Sequence, residues 1–143
     1  MIDYNTFMRA AIDEARKCDI DVPVGCVIVR DGVVIASGHN TREKNQNTIG
    51  HAEINAINAA CQALSSWQLS DCDLYVTLEP CPMCAGAIKA ARIRNVCFGC
   101  FNKTDGAAMS VYNILYPEVC VYGGILEEEC STLITDFFKN LRS

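Results

Sequence analysis

Apolar residues at helical spacing open the chain. Phe7, Met8, Ala11, Ile12 and Ala15 recur at the interval of one helix face, with Asp13, Glu14 and Arg16 between them, so residues 2–17 are expected as an amphipathic helix. Pro23 then opens a short apolar run, Val24 to Val29, and a second run, Val33 to Ala36, follows the pair Asp31-Gly32. An Asp-Gly pair between two apolar runs is a strong hairpin signal, because the tight turn needs residues that tolerate positive φ. Polar residues 39–50 read as a loop, and the Ala- and Ile-rich residues 52–64 as a helix. Leu74 to Leu78 is a β-type run, 82–91 is helix-compatible, and Val96 to Phe98 is a further strand. Residues 109–116 are expected as a short helix, Val119 to Tyr122 as the last strand, and Leu126 to Leu141 as a final helix. In that last helix Leu133, Ile134, Phe137 and Phe138 share one face, and three acids stand near its start, where the helix dipole favours them.

A hairpin followed by strands alternating with helices implies a mixed sheet with helices on both faces. The gap of roughly 20 residues between the last two strands is long enough for a parallel crossover. The 143 residues suffice for one domain spanning 1–143 with a sizeable core, and no repeat, low-complexity segment or linker divides them. Half of the residues are hydrophobic and a fifth charged, which is the balance of a compact globular protein. No apolar run approaches the roughly 20 residues of a membrane span, and the N-terminus lacks the basic start and apolar stretch of a secretion signal. A cytoplasmic protein with no membrane association is expected.

Ten cysteines are many for this length, but without a secretory context they are expected as reduced thiols. Eight of them, Cys18, Cys26, Cys61, Cys72, Cys97, Cys100, Cys120 and Cys130, read as small buried hydrophobes. A net charge of −5 does not advertise a nucleic-acid binder, although a local basic patch can act within an acidic whole. The densest basic cluster is Lys89, Arg92 and Arg94, with Lys139 and Arg142 near the C-terminus; both read most simply as solvated helix ends.

The candidate chemistry lies in His51-Ala52-Glu53 and Pro80-Cys81-Pro82-Met83-Cys84. One imidazole and two thiolates are three zinc ligands, which leaves a tetrahedral ion one open position, as in catalytic rather than structural sites. Cys81 and Cys84 face the same way if they share a helical turn, and a helix start favours thiolates. His51 and Glu53 are two apart and converge only if the histidine stands where the helix is not yet regular, which Gly50 before it allows. A rival arrangement uses Cys97 and Cys100, a second C-x-x-C, as a structural zinc ribbon with Cys81 and Cys84. It leaves His51 and Glu53 unexplained, and Val96-Cys97-Phe98 reads as a core strand.

His-x-Glu with Pro-Cys-x-x-Cys is the pattern of zinc-dependent base deaminases. Across nearly its whole length the chain resembles the bacterial tRNA adenosine deaminases of the cytidine deaminase superfamily. Asp21-Val22-Pro23-Val24-Gly25 resembles the family's V-P-V-G strand start, and Gly38-His39-Asn40 its G-x-N. The run from Leu74 through Gly86 matches closely, and Phe98-Gly99, Gly106-Ala107-Ala108 and Ser110 follow the next loop. Phe137-Phe138-Lys139-Asn140-Leu141-Arg142 resembles the C-terminal helix.

The resemblance implies a three-layer α/β/α sandwich around a central mixed five-stranded sheet, one Zn2+ per chain, and a homodimer whose partner helps shape the RNA site. The implied reaction is hydrolytic conversion of the wobble adenosine of a tRNA anticodon stem-loop to inosine. Its residues would be Glu53 for proton transfer to the ring nitrogen and the departing amine, His51, Cys81 and Cys84 on zinc, and Asn40 with the backbone near Ala52 and Glu79 around the base. Three positions depart from the family. Thr48-Ile49-Gly50 stands for Pro-Thr-Ala before the histidine, Asn102 for an aspartate in the nucleic-acid-facing loop, and Met109 for a glycine. These departures and the acidic charge favour an alternative in which a free base or nucleoside of the guanine or cytosine type is the substrate of the same chemistry. A non-catalytic zinc-binding subunit would have no physical need for Glu53.

Overall fold

The computed structural model describes residues 3–141. Its elements are α1 (Tyr4–Ala15), β1 (Gly25–Arg30), β2 (Val33–His39), α2 (Arg42–Asn45), α3 (Ala52–Leu64), β3 (Cys72–Leu78), α4 (Pro82–Ala90), β4 (Asn95–Cys100), β5 (Cys120–Tyr122) and α5 (Glu127–Leu141). The strands form one mixed sheet in the order β2-β1-β3-β4-β5. β1 runs antiparallel to β2 and β3, while β4 runs parallel to β3 and β5. The β1–β2 turn is the expected one: Asp31 and Gly32 have φ of 51° and 76°, and Arg30 pairs with Val33 across them.

Alternation along the strands builds two cores. On β1, Cys26 and Ile28 join Ala56 and Ala60 of α3 and Ile88 of α4. Val27 and Val29 point the other way, to Met8 and Ile12 of α1 and Cys130 of α5. The result is the expected three-layer α/β/α sandwich. Because β2 and β3 are both antiparallel to β1, they run in the same direction. The helices that follow them, α3 and α4, therefore start at the same end of the sheet. Open α/β sheets bind ligands outside the carboxyl ends of their strands, where such starts collect.

The helices also approach the sheet at backbone distance. A Cβ on Gly25 would lie 2.0 Å from the Ala11 carbonyl oxygen of α1. One on Gly38 would lie 2.6 Å from the Ala52 carbonyl oxygen and the Ala56 nitrogen of α3.

Three expectations change. The polar stretch 39–50 is not wholly loop: β2 runs on to His39, and α2 follows. The buried Asp21 carboxylate holds the start of α2, accepting from Glu43 N (2.6 Å) and Lys44 N (3.1 Å). Residues 109–116 form turns and irregular backbone rather than a helix: the Val111 and Tyr112 amides both donate to the Gly106 carbonyl and the Ile114 amide to the Ala107 carbonyl, which replaces the i−4 ladder. All ten cysteines are free, but Cys120 is exposed and Cys18 and Cys61 are only half-buried. The basic residues Lys89 and Arg92 behave as helix-end groups: Lys89 pairs with Glu118, and Arg92 donates to the Lys89 and Ala90 carbonyls. Arg142 lies outside the described residues.

Gly25→Ala should destabilise the protein at the upper end of the roughly 1–3 kcal/mol range of overpacking, since the obstacle is helix backbone rather than a movable side chain. Urea denaturation read by far-UV circular dichroism checks this.

Candidate active site

Two helix starts build the site. His51 is the residue before the first turn of α3, in extended conformation (φ −88°, ψ 153°). Cys81 holds the same place before α4 (φ −78°, ψ 173°), with Pro82 as the first helical residue. Proline suits that position because its ring fixes a helical φ and the missing N–H has no intrahelical partner there. Neither His51 nor Cys81 turns back to cap its own helix. Both side chains project forward instead, and Cys84, in the first turn of α4, joins them.

His51 Nδ1 lies 3.6 Å from Cys81 Sγ and 3.5 Å from Cys84 Sγ, and the three donor atoms lie within 4.8 Å of one another. Zinc ligands about 2.0–2.1 Å (nitrogen) and about 2.3 Å (sulfur) from the ion, placed tetrahedrally, stand about 3.5 Å apart. The donor set and its spacing therefore fit zinc. The Cys81 thiol is lowered to about 4, first by the hydrogen bond from Cys84 and then by the one from His51. Cys84 is correspondingly raised, since it holds the shared proton. The hydrogen bond to Cys81 raises His51. One thiolate thus stands ready, and a metal would displace the proton from the other.

Glu53 is buried beside this cluster at 4% exposure. Burial raises its carboxyl to about 7, with the Cys81 charge adding to the effect. A carboxyl that changes state near neutrality is suited to both accepting and returning a proton.

The site opens into a cavity of about 530 Å³ lined by Asn40, Arg42, His51, Glu53, Asn102 and Phe138, among others. Asn40 reaches it with its amide already anchored: Oδ1 accepts from Ala52 N (2.9 Å), and Nδ2 donates to the Val22 carbonyl (2.9 Å). One acceptor lone pair and one N–H remain for a ligand. Ala52 is wholly buried and meets the site through that backbone bond.

Glu79 borders the cavity, but its carboxylate faces the 102–110 loop. Oε1 accepts from Asn102 N (3.1 Å) and the Ser110 hydroxyl, and Oε2 from the amides of Ala108 (3.1 Å), Met109 (2.8 Å) and Ser110 (2.9 Å). This grip ties the 108–110 backbone to the residue that follows β3, and the next amides, of Val111, Tyr112 and Ile114, turn back to the Gly106 and Ala107 carbonyls instead of forming a helical ladder. The departing residues are placed as follows. Gly50 packs against Thr41 and Ile49 is exposed, while the Asn102 side chain accepts from the Thr104 and Asp105 amides.

Cys97 and Cys100 do not join the cluster. Both belong to the opposite core, Cys100 Sγ donates to the Thr77 carbonyl, and burial raises the two thiols to about 12 and about 11. The zinc-ribbon arrangement is therefore absent among the described residues. Sequence reasoning did not place Ile20, Arg42, Phe137, Phe138 or Leu141 at the site, though all line the cavity. The sequence carried no signal for them; only the structure shows these apolar side chains exposed, 58% for Ile20, 42% for Phe138 and 66% for Leu141.

Comparison with known proteins gives a consistent picture. Residues 1–100 match the family described as "Cytidine and deoxycytidylate deaminase zinc-binding region". A tRNA-specific adenosine deaminase of Bacillus subtilis (strain 168) is 45% identical, over 99% of this chain and 92% of that protein. A solved structure from a study of A-to-I editing by tRNA:A34 deaminases superposes with a TM-score of 0.86 at 40% identity, covering 90% of this chain and 98% of that one. A guanine deaminase structure from Bacillus subtilis superposes with a TM-score of 0.68 at 38% identity, covering 78% and 72%.

The Glu79 grip is testable. Burial alone would raise this carboxyl, but the Ser110 hydroxyl and the surrounding amides outweigh burial and hold it below its ordinary 4.5. A depressed folded-state value means that the stabilisation is present above the unfolded value and is lost as pH falls through the folded one. Glu79→Gln sets an NH2 group against backbone donors and should cost about 1–3 kcal/mol for each buried amide left unpaired. Wild type and variant should differ at neutral pH, and the difference should shrink as pH falls below the ordinary carboxyl value and through the lowered folded-state one, in parallel urea titrations.

Proposed function

The chain belongs to the zinc-dependent cytidine and deoxycytidylate deaminase family, and we propose that it converts the wobble adenosine of a tRNA anticodon to inosine. The observation that carries this reading is a three-ligand cluster and a buried carboxyl opening on one nucleoside-sized cavity, in a chain similar over nearly its full length to tRNA-specific adenosine deaminases.

His51, Cys81 and Cys84 hold the zinc. Zinc bound there supplies a Lewis acid that brings the pKa of a water down to about 7. In the reaction water replaces the 6-amino group of adenine, leaving a 6-oxo group and ammonia. Glu53 would take a proton from the attacking water and deliver it to ring N1, then take the second proton from the new C6 hydroxyl and pass it to the departing amine, which leaves as ammonia. Its elevated carboxyl suits both halves of the task. Asn40 offers its remaining acceptor and donor to the ring edge, and the anchoring of its other two positions fixes which is which. The backbone around Ala52 and Glu79 completes the pocket.

A base enters such a cavity only when splayed from its stack, and the surrounding polynucleotide must then be met at the rim. Arg42 is the one lysine or arginine among the described residues lining the cavity, and Phe137 and Phe138 offer apolar rings beside it. A homodimer is part of this proposal: Met109, Val111, Tyr112 and Tyr116 form an exposed apolar run on the segment next to the site, suited to cover by a second copy. The expected compartment is the cytoplasm, with the tRNA.

The test incubates zinc-loaded protein with an anticodon stem-loop carrying a wobble adenosine, and separately with guanine, cytosine, adenosine and cytidine. Inosine should form in the RNA alone. Turnover of free guanine with no reaction in RNA would overturn the reading in favour of the free-base alternative. Glu53→Gln should retain one zinc per chain by atomic absorption and lose turnover by about 10²–10⁴-fold or more. Loss of zinc together with activity would remove Glu53 from the proton-transfer role.

A further inference from the structure

The turn that carries Asn40 is braced by a side chain with no contact to the reacting atoms. Asn55 stands one helical turn after His51 on α3, its amide nitrogen donating to the His51 carbonyl (3.0 Å). Its side-chain Nδ2 donates to the His39 carbonyl (2.8 Å) and to the Thr41 hydroxyl (3.0 Å). These acceptors belong to the residues immediately before and after Asn40. Both protons of one NH2 group are thereby used to hold the two flanks of the residue between them. An amide flip would set Oδ1 against the His39 carbonyl, so the orientation is settled by the network.

We propose that Asn55 is a positioning residue that sets the distance between the base contact at Asn40 and the metal cluster. The proposal rests on the reading of Asn40 as a contact to the base. Asn40 makes a second tie to α3 through its own side chain, Oδ1 accepting from Ala52 N (2.9 Å), and other supports come from elsewhere: the Asn40 nitrogen donates to the Val24 carbonyl, and Cys18 Sγ reaches the Asn40 carbonyl at 3.5 Å. Glu14 of α1 binds His39 Nδ1 at 2.9 Å. Asn55 differs in what it holds: Ala52 N fixes the side chain of Asn40, whereas Asn55 fixes the backbone on both sides of it, from the turn of α3 that carries Glu53 and directly follows His51. Through it the group that orients the ring and the groups that hold metal and proton move as one body. The packing leaves little slack, since a Cβ on Gly38 would lie 2.9 Å from Asn55 Cβ. A displacement of about 1 Å at a positioning group can cost about 10²-fold in rate.

Asn55→Asp is the decisive variant. It keeps the size of the side chain and suits the start of a helix electrostatically, yet it replaces the donor by an acceptor facing the His39 carbonyl. The expected result is zinc content and melting temperature near wild type, an unchanged RNA dissociation constant, and kcat reduced about 10–100-fold. In a double-mutant cycle with Asn40→Ala, the Asn55 replacement should cost little once Asn40 is gone, because it acts through that residue. Wild-type kcat in Asn55→Asp, or full additivity in the cycle, overturns the proposal. So does a loss of zinc and RNA affinity in step with kcat, which would mark a merely structural role. Each variant is referred to the wild type on whichever substrate the wild type turns over, RNA or guanine. Failure of the RNA reading and failure of the Asn55 reading are then separate results.

Discussion

The first turns of α3 and α4 must meet, and much of the molecule is arranged around that meeting. A metal cluster assembled from His51 on one helix and Cys81 and Cys84 on another tolerates little error, with donor atoms 3.5–3.6 Å apart across the junction. The sheet supplies the accuracy. β1 lies between β2 and β3 and runs against both, so the helices that follow them emerge side by side. Close backbone approach at Gly38 then fixes the height of α3 above the sheet. A side chain there would lift the helix and carry His51 and Glu53 away from the thiols together.

The chemistry was legible in the sequence because its elements are local. The C-x-x-C spacing and His-x-Glu each lie within one helical turn, and the ligand geometry follows once those turns exist. The odd requirement that residues two apart converge is met as the sequence demanded, by an extended His51 before a regular Glu53. The hairpin was equally readable, since Asp31-Gly32 needs no distant partner to adopt positive φ. What escaped was non-local. Residues 109–116 carry a plausible helix composition, but Glu79, some thirty residues earlier, holds the Met109 and Ser110 amides, and the amides after them turn back to the Gly106 and Ala107 carbonyls. Asn55 reads as one more polar residue on a helix until β2 is laid beside it.

Two kinds of buried carboxylate share this site and are tuned in opposite directions. Glu53 has few donors and is raised by burial, which makes its proton mobile. Glu79 is just as buried, but a ring of amides holds it lowered, so it stays charged and ties the loop. The same side chain is raised in one place and held as a fixed anion in the other, and the hydrogen-bond donors around it set the difference. The Asn102 loop hangs from the second of these, so its shape depends on Glu79, while Glu53 stays beside the metal-ligand cluster with a carboxyl that changes state near neutrality.

The last turn of α5 is part of the cavity wall, with Leu141 at its edge. No residue of α1 lines that cavity among the described residues. The two ends of the chain are therefore not equivalent. α5 thus has two duties along its length: Cys130, Leu133 and Ile134 pack on the core, and a turn later Phe137, Phe138 and Leu141 face the cavity, so one helix joins the wall of the site to the body of the protein.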